Sequence, residues 1–309
     1  MQVKPVPSPA RALLLANLIC LASMVIWSAG LPAAELIIPH MPPLALTAAR
    51  AILASLVLLP LWVALEGWQV IRRADWGRGI MVGGIVIGLA SVFLVIAQKA
   101  TNSVTVAVAT ATMPVLGIAL ECWLDRRRVT PALLIGLVLS LAGGMLAYAA
   151  AMGNLRLGIG AAAAMGSVIC YTWGSRATVK SFPTLTPLGR SAITVAGAAI
   201  CATAAATAHS AFGAPAIDWA GIGWREFGGL LIFSMGSLAI SQVLWIIAVG
   251  QLGIGASSLH ANAVPFYVMI IVFALGGNWD WWQALGAGIV GLGVVVAQEL
   301  LPLPRRAAV

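Results

Sequence analysis

The chain is a succession of long apolar stretches broken by short polar links, at about 11–33, 43–65, 77–98, 102–123, 130–151, 157–177, 184–208, 226–249, 256–277 and 281–301. Each is close to the roughly 20 apolar residues that a helix needs to cross a bilayer. Lipid offers no partner to an unpaired backbone amide, so spans of this kind are helical. The pattern predicts an all-α integral membrane protein with ten transmembrane helices. Composition agrees: 61% of the 309 residues are hydrophobic and 8% are charged, whereas a soluble domain is about a quarter charged. The links are too short to hold a soluble catalytic domain.

The net charge of +8 does not mark a nucleic-acid binder, because the basic residues sit at helix ends instead of forming one patch interleaved with aromatics. Assigning the links alternately to two sides gathers Lys4, Arg11, Arg72, Arg73, Arg78, Arg126, Arg127, Arg128, Arg176, Lys180, Arg305 and Arg306 on one of them. The other side keeps Lys99, Arg156 and Arg225. By the positive-inside rule the first set is cytoplasmic, with both termini on that side of a bacterial inner (plasma) membrane. Lys4 and Arg11 before an apolar run resemble a signal peptide, but similar runs follow, so this one is read as a retained first span. The long external link near 209–225 carries His209, Asp218, Trp219 and Trp224 and reads as an interfacial cover. Cys20, Cys122, Cys170 and Cys201 stand singly in apolar segments without metal-ligand spacing. They are read as packing residues, and no metal or cofactor is expected.

The chain also repeats itself. Ser23, Trp27 and Gly30 recur as Ser167, Tyr171 and Gly174, each 144 residues later. Pro43 precedes Arg50 by seven residues, as Pro183 precedes Arg190. Phe93 to Ala100 is related to Leu244 to Gln251, Pro114 to Pro265 at an offset of 151, and Gly136 and Gly143 to Gly286 and Gly293. Five matches in one order divide the chain into repeats 1–152 and 153–309. Because five helices is an odd number, the second copy must insert upside down, giving the inverted repeat of alternating-access transporters.

Ten helices in two sets of five, the stretch Trp27, Ser28, Ala29 and Gly30, an arginine early in the second helix, prolines in the middle of the fourth and ninth, and glycine-rich fifth and tenth helices resemble the drug/metabolite transporter superfamily. Within it the chain is most similar to EamA-type exporters of the YddG-type aromatic and neutral amino-acid group. It departs from many relatives at Ser28, where glycine is common, and at His260 and Asn262, where small apolar residues are. The resemblance implies a cavity among the first, third, fourth, sixth, eighth and ninth helices. Here those helices offer Ser23, Trp27, Ser91, Gln98, Thr110, Thr112, Tyr171, Trp173, Gln242, Trp245, His260, Asn262 and Tyr267 as substrate-binding candidates. Aromatic rings suit a side chain, while amides and hydroxyls suit an ammonium and a carboxylate. The expected substrate is a neutral or aromatic amino acid, with drug-like cations, other metabolites coupled to protons, or a nucleotide-sugar as alternatives.

Charged groups inside the spans are few. Arg50 and Arg190 sit at matching depths, which favours a structural role over carboxylate recognition. Glu35, Glu66, Glu121 and Glu299 lie near helix ends and Asp75, Asp125, Asp218 and Asp280 in links, so no carboxylate proton relay is expected. His260 is the one histidine well inside a span, read as a packing group ahead of a proton carrier. Facilitated flux or exchange follows. Gly79, Gly83, Gly84 and Gly88 form small-residue stripes suited to close helix packing within a monomer, with dimerisation as the alternative. Pro114 and Pro265 are expected to kink their helices and act as hinges. Neither HExxH nor GxSxG occurs, no P-loop is present, and His40, His209 and His260 are far apart in sequence, so an enzyme is not expected.

Overall fold

In the computed structural model of the protein, residues 9–297 are described apart from 102, 127, 140–141, 143–157, 214, 277–278 and 280. Lys4, Asn102, Arg127, Gly143, Arg156, Asp280, Glu299, Arg305 and Arg306, with the boundary between the expected repeats, lie outside the described residues. Every regular element among the described residues is helical. We number the main helices α1 Pro9–Ile37, α2 Pro43–Glu66, α3 Trp76–Ala100, α4 Ser103–Thr110, α5 Met113–Leu124, α6 Ile159–Ser181, α7 Pro187–Ala211, α8 Trp224–Leu252, α9 Ile254–Ala274 and α10 Trp281–Ala297.

Six of these, α1, α2, α3, α7, α8 and α9, are long and apolar enough to cross a membrane. The sequence pattern suggested ten, and the difference has physical causes. The fourth stretch is divided by a turn at Ala111 and Thr112, so α4 and α5 are each too short to span alone. α6 has 23 residues, but serine, threonine, glycine, Arg176 and Lys180 dilute its apolar run. The described part of α10 has 17 residues, and the fifth stretch is described only at 131–139 and 142.

Outward faces are apolar, as lipid requires: Leu14, Leu15 and Leu18 on α1 and Leu56, Leu61 and Leu65 on α2 are exposed. The interior is built from α1 against α8, α3 against α6, α2 against α7, and α5 against the start of α9. Small residues set the closest approaches. A Cβ on Gly83 would lie 2.0 Å from the Thr194 carbonyl oxygen, and one on Gly197 would lie 2.4 Å from that of Gly79. The glycine stripe of α3 therefore faces α7 of the same chain.

Three helices change their winding midway. α3 is π-helical over Gly84–Leu89 and α8 over Ile232–Ile240, while α9 passes through a 3-10 stretch at Leu259–Ala263. Pro114 and Pro265 begin new helical segments after the turn in the fourth stretch and after this 3-10 stretch. The expected mid-helix kinks are thus breaks followed by a proline in the first turn, where its missing N–H removes no helical bond.

Links pair up at opposite ends of the bundle. At one end Arg78 Nη1 donates to the Ser181 carbonyl at 3.3 Å, and Thr186 hydrogen-bonds Glu66. At the other, His40 Nδ1 and Asp218 Oδ2 lie 2.9 Å apart and the Asp218 amide donates to the His40 carbonyl. The long link near 209–225 is thereby tied down over the α1–α2 turn, with Trp219 and Trp224 exposed. The His40 contact, with the Gly221 amide, holds the Asp218 carboxyl below its usual range.

Candidate functional site

The stretches of α1, α3, α6 and α8 beside the π-helical segments line a partly open cavity of about 50 Å³. Its lining includes Met24 and Trp27 from α1, Arg50 from α2, Ser91 and Leu94 from α3, Thr110 from α4, Met113 from α5, Ser167 and Tyr171 from α6, and Ser237 and Gln242 from α8. A water needs roughly 10–15 Å³ measured this way, so the cavity holds a few waters and must widen to take any larger solute.

Of the residues expected to bind substrate, Trp27, Ser91, Thr110, Tyr171 and Gln242 meet here. The Tyr171 hydroxyl donates to Gln242 Oε1 at 2.6 Å. Behind it the Tyr171 ring stacks on Trp245, centroids 6.1 Å apart, and Trp245 Nε1 donates to Ser175 Oγ at 2.8 Å. Trp245 is therefore fully buried support and does not line the cavity.

The other candidates lie elsewhere. The Ser23 hydroxyl donates to the Ser241 carbonyl at 2.8 Å, holding α1 to α8. Gln98 Nε2 donates to the Leu31 carbonyl, and Thr112 bonds back to Ala109 beside Met165. Trp173 is on the outside, 38% exposed. His260 and Asn262 are buried in the 3-10 stretch of α9, and Tyr267 is a half-buried neighbour of the core.

Arg50 and Arg190, expected at matching depths, sit in different surroundings. Arg190 donates to the carbonyls of Phe182 and Pro183, closing the link before α7. Arg50 is instead 2% exposed and faces the cavity. Its Nε donates to the Phe233 carbonyl at 3.0 Å, Nη1 lies 3.4 Å from Ser91 Oγ, and the guanidinium sits 3.8 Å above the Phe233 ring. Phe233 belongs to the π-helical stretch of α8. Equal spacing from a proline placed the two arginines at the same depth, but the surroundings of their helices give them different tasks.

A second, polar cavity lies at the end of α5, lined by Glu121, Asp125, Arg176, Lys180 and Gly253 among others. Arg176 Nε and Nη2 donate to Asp125 Oδ2 and Oδ1 at 2.8 and 2.6 Å, and Lys180 Nζ lies 3.4 Å from Oδ1. These bonds hold the Asp125 carboxyl down at about 2.

Residues 14–149 match the EamA-like transporter family. A curated relative, the uncharacterized transporter YyaM of Bacillus subtilis (strain 168), is 29% identical over 79 residues, 26% of this chain. The match spans only 26% of that relative's own length. A solved crystal structure superposes on 93% of this chain and 97% of its own, with a TM-score of 0.74 at 20% identity. At that identity the likeness carries the fold alone.

Proposed function

We propose that this chain, whose residues 14–149 match the EamA-like transporter family, is a multi-pass carrier that exports neutral and aromatic amino acids by alternating access, as a facilitator or exchanger. The observation that carries the reading is the cavity lining. Trp27 and Tyr171 offer aromatic faces, Met24, Leu94 and Met113 an apolar wall, and Ser91 and Gln242 polar groups, while none of the described lining residues is Asp or Glu. A small amphipathic solute fits such a surface. A drug-like cation would need an acid to replace its water, and none lines this space among the described residues.

The two-repeat, ten-helix organisation belongs to the same proposal, and several pairs of contacts support it. α1 packs on α8 as α6 packs on α3. A Cβ on Gly30 would meet Ser237, and one on Gly174 would meet Val86, residues offset by 144 and 151 in the two pairs of helices. Ser23 donates to the Ser241 carbonyl and Ser167 to the Ala90 carbonyl, both at 2.8 Å. Trp27 and Tyr171, and likewise Ser91 and Gln242, face one cavity from equivalent places. Two like halves sharing one site can exchange conformations around it. In this reading the end bearing Arg78, Asp125, Arg176 and Lys180 is cytoplasmic, lipid covers the outer faces, and one chain forms the transport unit.

Counterflow in proteoliposomes tests the reading. Vesicles preloaded with unlabelled phenylalanine, tryptophan or methionine should take up labelled phenylalanine saturably without an ion gradient. Uptake driven by dye cations and by no amino acid would overturn the substrate class.

A further inference from the structure

We infer that the cavity selects its substrate by a carboxylate and not by an ammonium, with Arg50 as the charged anchor, so that the protein also carries deaminated monocarboxylates. This rests on the carrier reading above and sharpens its substrate class. Arg50 is buried, and a guanidinium is charged at neutral pH. Its described partners are the Phe233 carbonyl, the Ser91 hydroxyl and the Phe233 ring, all neutral. No acidic side chain lines the cavity among the described residues. The positive charge thus faces a mostly apolar cavity without a counter-ion among the described residues, and a bound anion would supply one.

Hydrogen-bond polarity points the same way. The hydrogen bonds of Arg50 to described residues use Nε and Nη1 and leave Nη2 outside them. The Ser91 hydroxyl, already accepting from Arg50, has its own hydrogen to give. Gln242 Nε2 is buried without a partner while its Oε1 is engaged by Tyr171. A carboxylate offers the acceptors that these donors lack, and a guanidinium meets it in a forked geometry. An ammonium finds less. The hydroxyls of Thr110, Ser167 and Ser237 give their hydrogens to the carbonyls of Val106, Ala90 and Trp27, so only neutral lone pairs remain for it, close to a like charge. An amino acid binds through its carboxylate and tolerates its ammonium, whereas a 2-oxo or unsubstituted acid matches the site with no ammonium to place.

The test uses the full chain in proteoliposomes, with protein-free vesicles as control. Labelled phenylalanine is supplied outside, with phenylalanine, phenylpyruvate or phenethylamine inside. Phenylalanine and phenylpyruvate should both drive uptake, and phenethylamine should not exceed empty vesicles. Arg50→Met and Arg50→Lys should each lower exchange by about tenfold or more, since lysine keeps the charge but loses the fork. If Arg50→Met does not give monodisperse protein, Arg50→Lys and the wild-type panel decide. Exchange driven by phenethylamine as well as by phenylalanine, phenylpyruvate failing where phenylalanine succeeds, or full phenylpyruvate exchange by Arg50→Lys would overturn the inference while the amino-acid carrier stands. Failure of phenylalanine and phenylpyruvate alike would overturn both.

Discussion

Glu121, near the end of α5, accepts a hydrogen bond from the backbone amide of Gly255 at the start of α9, at 2.9 Å. Asp125, four residues on, is held by Arg176 near the end of α6. At the opposite end of the bundle Glu35 accepts from the Ser103 amide at 2.6 Å, joining α1 to α4. Carboxylates therefore fasten both ends of the fourth stretch, one against α9 and α6 and the other against α1.

Glu121→Ala leaves the Gly255 amide without its acceptor, a loss of about 1–3 kcal/mol for a buried donor. Glu121→Gln keeps an acceptor oxygen and should lose less. Thermal unfolding in detergent checks the order wild type, Gln, Ala, and equal melting of the two variants would contradict it.

The Asp125–Arg176 pair gives a pH dependence of defined sign. The carboxyl sits at about 2 when folded against an ordinary 3.8, so its contribution is complete above the ordinary value and disappears as pH falls through the folded one. The coupling between Asp125→Asn and Arg176→Gln, from a double-mutant cycle on unfolding, should be flat from about pH 8 to about pH 5 and decay below about pH 4. A coupling that fades between pH 8 and pH 6 would show that another group governs it.

Gly83→Ala forces a methyl group into the Thr194 main chain, and Gly197→Ala does the same against Gly79. Overpacking of this kind costs about 1–3 kcal/mol, more when backbone must move. Gly228, with nothing within 4 Å of an added Cβ, should accept alanine. Yield of monodisperse protein after heating separates the two groups.

Trp245→Phe preserves an aromatic ring behind Tyr171 but removes the donor to Ser175. A single lost hydrogen bond of about 1 kcal/mol implies a roughly fivefold rise in KM if Tyr171 touches substrate. An unchanged KM with a lower melting temperature would assign Trp245 to stability alone.

Pro114→Ala and Pro265→Ala test the hinges. Each proline opens a segment after a break, and alanine there lets the helix wind through. Maximal exchange rate should fall several-fold in the double variant while substrate affinity holds, because rates of conformational change and not contacts are altered. Exchange at the wild-type rate in folded double variant would remove the hinge role.

Much of the fold is legible in the residues, and the reason it stops is physical. The long apolar runs declare helices, and the spacing of Gly79, Gly83, Gly84 and Gly88 declares a close helix contact. Which face of a helix looks inward is hidden, because lipid and protein interior are both apolar and the usual two-sided pattern fades. Ser91 and Gln98 both sit on α3, yet one lines the cavity and the other clamps the Leu31 carbonyl. Trp173 and Tyr171 are two residues apart and face lipid and cavity respectively. Arg50 and Arg190 share a spacing from proline, and only their neighbours tell them apart.

The π-helical stretches in α3 and α8 have a geometric consequence for everything after them. An ordinary helix turns by about 100° per residue, and a π turn absorbs an additional residue without lengthening the helix by a full step. Ser91 follows the first stretch and Gln242 the second, so their bearing around the helix axis is a matter of winding number as well as of side-chain identity. Removing one residue from a wide turn would let it close to an ordinary turn with the following residues kept on their bearing, whereas removing one from the ordinary turn just after it would rotate the rest of that helix by about 100°, carrying Ser91 away from Arg50 or Gln242 away from Tyr171 with no chemical group in the cavity changed.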